Sequence, residues 1–363
     1  MLKSSPEQEL RIRYAKSFDG VNLAYWTAGK GEPLLFLPSL VTNVESDWRT
    51  ERGKVYARLA EHHQLVRYDG RGHGMSDRQP ASLSLDALVR DLEAVADELE
   101  LETFAIFAPS VAATTAIAFA ARHPERVTRM VLFQPFPSFK DYFDSSLKDT
   151  LPLLKQNWDL FTMTVSHVRM GWVRADQARG SAALLRDSVH PDFYAREVEM
   201  AAELTARPLM TDVRTPTLIL CRRDYGDYEI GVARSIAAAI PTATLELVHG
   251  NTNGVWDERQ LALRVTERFL GVEIFPAEAT STLPDYLHNR SHDLSPREVD
   301  VLRFLANGQR NKEIAAALGL SVYTVARHIA TIYAKIGAHG RAEATRYALE
   351  HGLLEPREPA AVH

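Results

Sequence analysis

One cysteine, Cys221, stands among 363 residues. No internal disulfide or multi-cysteine zinc site can form from it, and a reducing compartment suits the chain. Long apolar runs are missing too: nowhere do about 18 apolar residues pass without a charge, so no membrane span is expected. The N-terminal MLKSSPEQELRIRY lacks the apolar core of a signal peptide. Internal repeats and low-complexity tracts are absent, and neither charge dominates: 42 Lys and Arg face 47 Asp and Glu, a net of −5. With 45% hydrophobic and 25% charged residues, disordered, collagen-like and disulfide-stapled classes are excluded. A cytoplasmic protein with no metal and no cofactor is expected, long enough for two domains at about 100–200 residues each.

What charge there is lies unevenly. From His288 to Arg357 there are ten Lys and Arg against seven Asp and Glu, a balance of +3 that leaves −8 on the rest. A mildly basic end on an acidic body points to two partners of different kinds. Before that end, short apolar runs read as strands: Pro33–Pro38, Gln64–Tyr68, Thr103–Phe107, Val127–Phe133, Thr217–Cys221 and Thr244–Val248. Asp19-Gly20 joins two alternating runs as a hairpin. Helical patterns at Leu83–Leu99, Val111–His123 and Gly231–Ala239 separate most of the later runs, which predicts an α/β doubly wound parallel sheet. Residues 136–212 interrupt the alternation with helical patterns and the aromatics Trp158, Phe161, Trp172, Phe193 and Tyr194. That length between two strands reads as a helical lid over the sheet's C-terminal edge, where open α/β sheets bind ligands. Residues 272–293 carry prolines and no periodicity, and read as a linker between a 1–271 body and a 294–357 helical domain.

In the helical domain, Ser295-Pro296-Arg297-Glu298 has the form of a capping box. Val299, Leu302 and Leu305 give an apolar face that Gly308 ends. Asn311 is placed to cap a second helix. Ser321 caps a third, whose Val322, Val325, Ile329, Ile332 and Ile336 form a buried stripe. Two short helices joined by a glycine-bearing turn make a helix-turn-helix, and the later helix enters the major groove. Ser321, Tyr323, Thr324, Arg327 and Thr331 then fall on the DNA side, with Lys312, His328 and Lys335 placed for phosphates.

From Leu294 to Leu354 the chain resembles the LuxR-type DNA-binding domain. Leu294, Pro296, Arg297, Glu298, Leu302, Gly308, Asn311, Lys312, Glu313, Ile314, Ala315, Leu318, Ser321, Thr324, Val325, His328, Ile332, Lys335 and Arg341 match its pattern. The resemblance implies a fourth helix at about Arg341–His351 used for dimer contact. Where members often carry Lys or Arg, this chain has Ala326 and Ala330, which leaves Arg327 as the long donor on that face.

In the body, Ala108-Pro109-Ser110-Val111-Ala112 runs strand, sharp turn, helix, the context of a nucleophile elbow with both glycines replaced by alanine. DxRGxGxS over Asp69–Ser76, ARHPERV and TPTLIL before Asp224 together resemble the α/β-hydrolase fold over about 1–271. The resemblance puts Ser110 at the nucleophile position and Asp224 at the acid position. At the histidine position stands Asn253, which cannot take the serine proton. His73 reads as structural, and Cys221 as a buried strand residue. Leu40 and Val111 are left to offer oxyanion-type N–H groups.

Ser110, Val111, Leu40, Asp224 and Asn253 are thus expected to bind a small molecule instead of catalysing a reaction, in a regulator that binds a palindromic operator as a homodimer. Two alternatives stay open. One is a bifunctional regulator with an active esterase or amidase, using Ser110, Asp224 and a relocated His249. The other is a constitutive DNA-binding protein whose body only dimerises.

Overall fold

Asp19-Gly20 closes a hairpin: Ser17 N–H donates to Val21 O at 2.9 Å, and Gly20 takes the φ of 88° that the turn requires. Its strands, β1 (Arg13–Lys16) and β2 (Asn22–Ala28), start an eight-stranded sheet. The computed structural model describes residues 11–145, 147–170, 175–223, 226–248, 261–272, 294–318, 320–336 and 340–350, with Ala338 and Leu353. Among them no helix is long and apolar enough to cross a membrane. The chain divides into two compact units, Met1–Ile274 and Phe275–His363.

The other strands are β3 (Glu32–Phe36), β4 (His63–Tyr68), β5 (Phe104–Pro109), β6 (Val127–Phe133), β7 (Thr217–Arg222) and β8 (Ala243–Val248). Sheet order is β1-β2-β4-β3-β5-β6-β7-β8, antiparallel at β1–β2 and β2–β4 and parallel from there on. β7 is buried at every position, as a parallel strand covered on both faces must be. Helices α2 (Leu85–Glu98), α3 (Ala112–Arg122) and α9 (Asp227–Ala239) share a core with one face. On the other face lie α1 (Glu51–Ala60) and α10 (Leu261–Phe269), packed with Trp26 and Phe36. Helix α9 begins at Asp227, four residues before the start read from the sequence, because Asp227 and Glu229 fill its first turn and suit the helix dipole there.

Between β6 and β7 the chain forms α4 (Phe139–Phe143), α5 (Leu151–Gln156), α6 (Trp158–Met170), α7 (Ala175–Ser188) and α8 (Pro191–Met200). Trp158, Phe161 and Tyr194 pack ring against ring, with centroids 5.6–5.8 Å apart. They join the buried cluster that α2, α3 and α9 share with the sheet. Trp172 lies outside the described residues.

The second unit holds α11 (Pro296–Ala306), α12 (Asn311–Leu318), α13 (Val322–Ile336) and α14 (Arg341–Glu350). The capping box of α11 is complete: Ser295 accepts from Glu298 N–H, and the Glu298 carboxylate accepts from Ser295 N–H at 2.6 Å. At its other end Gly308 (φ 89°) donates to Leu305 O and Gln309 to Phe304 O, the two bonds of a Schellman motif. Two arginines finish helix ends. Arg341 donates to Leu305 O and Gln309 O, and Arg297 to Leu318 O, placing cations at the C-terminal carbonyls of α11 and α12.

Two expectations need correction. Asn311 is the first residue of α12, not its cap. Arg310 O takes the first helical bond, and the Glu313 side chain reaches back to Arg310 N–H at 2.6 Å. Val322 does not belong to the buried stripe: it is 48% exposed, whereas Val325 and Ile332 are fully buried. The buried stripe of α13 starts at Val325, three residues further on.

Candidate ligand cavity and nucleic-acid interface

Ser110 is one of three non-glycine residues with positive φ among the described residues, at 55°. That left-handed turn between β5 and α3 costs about 1–2 kcal/mol in an L-residue. It persists because both flanks are pinned. Ser110 N–H donates to Phe133 O at 2.8 Å, and Ser110 O accepts from Phe136 N–H at 3.1 Å. Ala108 and Ala112 on either side are buried, so small residues serve the crowded turn. Among the described residues no group hydrogen-bonds the Ser110 hydroxyl. Asp224, His249 and Asn253 lie outside the described residues.

Next to the elbow is a cavity of about 40 Å³. Leu40 and Val111 both line it, so two of the expected ligand residues meet there, with Ala112 and Thr115 of α3 beside them. The insert contributes Phe139 and Glu197. Trp158, Phe161, Phe193 and Tyr194 do not line this wall. At the polar end His73 Nε2 lies 2.9 Å from Glu197 Oε1, with both side chains at least 95% buried. His73 also bridges Val189 through its backbone. Nothing in the sequence marked Glu197, which lies 124 positions from its partner.

The loop after β4 explains the DxRGxGxS pattern letter by letter. Asp69 accepts from Val44 N–H at 3.0 Å and Met75 N–H at 2.8 Å, tying two loops that border the cavity. Burial pushes its carboxyl up to about 6, against the pull of Arg67 and these N–H groups. Arg71 makes a bidentate pair with Asp91, both bonds 2.7 Å, and a second pair with Asp19 at 2.8 Å. Gly72 (φ 83°) lets the Phe193 ring approach, since a Cβ there would lie 2.1 Å from it. Gly74 makes the same room for Asp69. Ser76 donates to Asp69 O and accepts from Ala24 N–H. Cys221 is buried, and burial with the nearby Glu229 carboxylate pushes its thiol up to about 11, which leaves it inert at neutral pH.

On α13 the exposed side carries Ser321, Arg327 and Thr331. Thr324 and His328 are half-buried, and Ser321 caps the helix by accepting from Thr324 N–H at 3.0 Å. Tyr323 falls on this helix, and Lys312 is exposed on α12. Lys335 is not free: its ammonium donates to Glu298 Oε2 at 2.8 Å. Among the described residues no cluster could hold a metal ion.

The chain matches the alpha/beta hydrolase fold family over residues 32–220 and the luxR family of bacterial regulatory proteins over residues 292–348. The C-terminal match is carried by relatives such as the Fimbriae Z protein of Salmonella typhimurium, 44% identical over 88 residues, which are 23% of this chain and 42% of that protein. Response regulator Rre1 of Synechocystis is 44% identical over 63 residues, 17% of this chain and 27% of that protein. The chain thus spans less than half the length of these curated relatives. An esterase from Rhodococcus, RhEst1, superposes with a TM-score of 0.60 at 19% identity, over 72% of this chain and 99% of its own. The enol-lactonase of Burkholderia xenovorans gives 0.59 at 20% identity, over 71% and 99%. At that identity the likeness is one of fold. The chain belongs to the alpha/beta hydrolase fold family and carries, beyond that body, a LuxR-type DNA-binding regulator domain.

Proposed function

We propose that the protein is a ligand-responsive transcription regulator. Its hydrolase-fold unit, residues 1–271 with a lid at about 136–212, binds a small, mostly apolar molecule. Through the linker at 272–293 that event controls DNA binding by residues 294–357. The observation that carries the reading is the lined cavity beside Ser110, where Leu40 and Val111 meet insert residues, in a chain that also holds a DNA-binding unit. Asn253 at the histidine position supports binding over turnover, since an amide has no pKa near neutrality and cannot accept the serine proton. Ligand and DNA need a coupling free energy of only about 1–3 kcal/mol, a 5–150-fold change in affinity. A homodimer on palindromic half-sites one helical turn apart fits the LuxR-type unit. The test is operator affinity of the full chain with and without compounds that raise its melting temperature. Affinity unchanged by every stabilising compound defeats the reading.

The strained φ of Ser110 favours a second reading, because an elbow kept in the left-handed region is what a nucleophile needs. In it Ser110, Asp224 and a relocated His249 form an active esterase or amidase. Intact mass after a serine-directed fluorophosphonate, against Ser110→Ala, separates the two. Rapid stoichiometric labelling lost in the variant establishes the enzyme, and no labelling leaves the sensor.

A further inference from the structure

The buried pair at the polar end of the cavity is incompletely satisfied. Glu197 Oε2 and His73 Nδ1 are both sealed from water and without a hydrogen-bond partner among the described residues. If the Glu197 carboxylate is ionised it only accepts, and the proton between the two side chains then sits on His73 Nε2 and points to Glu197 Oε1. In the neutral ring the second nitrogen is then an acceptor as well. With the ring neutral, Glu197 Oε2 and His73 Nδ1 are each an acceptor with no donor. Ser39, Tyr68 and Thr115 bring hydroxyls to the wall, but none pairs with either atom, and the guanidinium of Arg71 is taken by Asp91, Asp19 and the Ser82 carbonyl. Leaving a buried acceptor unpaired is costly, and more so when it is charged. Both residues line the cavity, whose wall is apolar at Leu40, Val111 and Phe139.

We propose that His73 and Glu197 form the recognition end of the ligand site and receive an N–H or O–H donor carried by a small apolar molecule. The proposal rests on the ligand-sensing reading above and names the chemistry that site selects. A volume of about 40 Å³ suits a head group of a few atoms, since one water needs roughly 10–15 Å³. Glu197 lies on α8 and His73 on the loop after β4, so a donor inserted here also touches the contact that seats the insert.

The test uses the full-length chain and two probes of the same shape, N-butylacetamide and butyl acetate, which differ in an N–H against an ester oxygen. Binding is followed by titration calorimetry in every variant, and by the ring ¹⁵N shifts of His73 where that residue is kept. The wild type is expected to prefer the amide by about ten-fold or more. Glu197→Gln turns the free acceptor into a donor and is expected to reverse the preference. The paired replacement His73→Phe with Glu197→Met removes both polar partners together, which spares the fold, and should abolish the preference while keeping apolar binding. Equal binding of both probes to wild type and variants overturns the subsite and leaves the sensing reading intact. Binding of neither probe also overturns it. The sensing reading falls only by its own test, an operator affinity that no stabilising compound moves.

Discussion

The Lys335 ammonium lies 2.8 Å from Glu298 Oε2, the carboxylate that also closes the capping box at Ser295. One side chain thus fixes the start of α11 and fastens the last turns of α13 to it. Burial would raise the Glu298 pKa, but Lys335 and the Ser295 N–H outweigh it and hold the carboxyl below its ordinary 4.5. A depressed folded value stabilises fully above 4.5, and that contribution is lost as pH falls through the folded value. Glu298→Gln is expected to cost about 1 kcal/mol at neutral pH, a modest figure because the ammonium is half in water. It should also flatten the loss of stability below pH 4.5. Amide exchange in α11 and α13 of the full chain measures both.

The same contact decides which lysine tests DNA binding cleanly. Lys335→Ala would strip Glu298 as well as any phosphate, so its effect would mix folding with binding. Lys312 is exposed on α12 and makes no ion pair among the described residues. Lys312→Ala is expected to weaken all DNA alike and lower the salt slope by about 1. Arg327→Ala should cost about 1–3 kcal/mol on the operator and relax preference at one base pair. Fluorescence-anisotropy titrations at several salt concentrations separate the two. Equal operator affinity for Arg327→Ala and wild type would remove α13 from the groove.

Arg71 and Asp91 are both at least 98% buried, so removing one strands a charge. Arg71→Met is expected to destabilise the first unit by about 3–5 kcal/mol. Arg71→Lys should rescue little, since an ammonium cannot hold Asp91 at two points and reach Asp19. Urea denaturation followed by tryptophan fluorescence gives both numbers, Trp26 being in this unit's core.

The comparison of DxRGxGxS with Glu197 shows where sequence reading stops. The motif was legible as a pattern of residue types in a turn, with glycines where φ is positive, although its partners Val44, Asp91, Asp19 and Phe193 were not. Ser110 was legible for the same reason, as strand, turn and helix adjoin in the chain. Contacts between distant segments leave no such trace. His73 looked structural because its partner lies on an insert helix 124 residues away, and Lys335 looked free because Glu298 is 37 residues upstream. The insert's aromatics were ambiguous, since helical spacing is the same whether a ring packs in a core or lines a cavity. Phe139, at the first turn of a five-residue helix, had no periodicity to announce it.

Gly72 shows how the insert is seated. At φ 83°, with a Cβ position 2.1 Å from the Phe193 ring, Gly72→Ala is strained in its backbone and displaces α8. A loss of about 2–4 kcal/mol is expected, at the upper end of single substitutions. Adding Phe193→Leu should recover part of it, because the clash and the ring are one interaction and the two changes are not additive. Thermal unfolding of the single and double variants tests this, and full additivity would mean the ring is not what Gly72 accommodates.

Ser110 offers a stability readout that does not depend on chemistry. Ser110→Ala and Ser110→Gly both remove the hydroxyl, but only glycine relieves the left-handed φ of 55°. Relief is worth about 1–2 kcal/mol, and the extra freedom glycine gains in the unfolded chain offsets up to about 1 kcal/mol of it. Ser110→Gly is therefore expected to be the more stable variant by about 0.5–1 kcal/mol, read from denaturation midpoints at equal slopes. A less stable glycine variant would mean the turn relaxes in solution. The elbow's strain, and with it the support it lends to a nucleophile at this position, would then be gone.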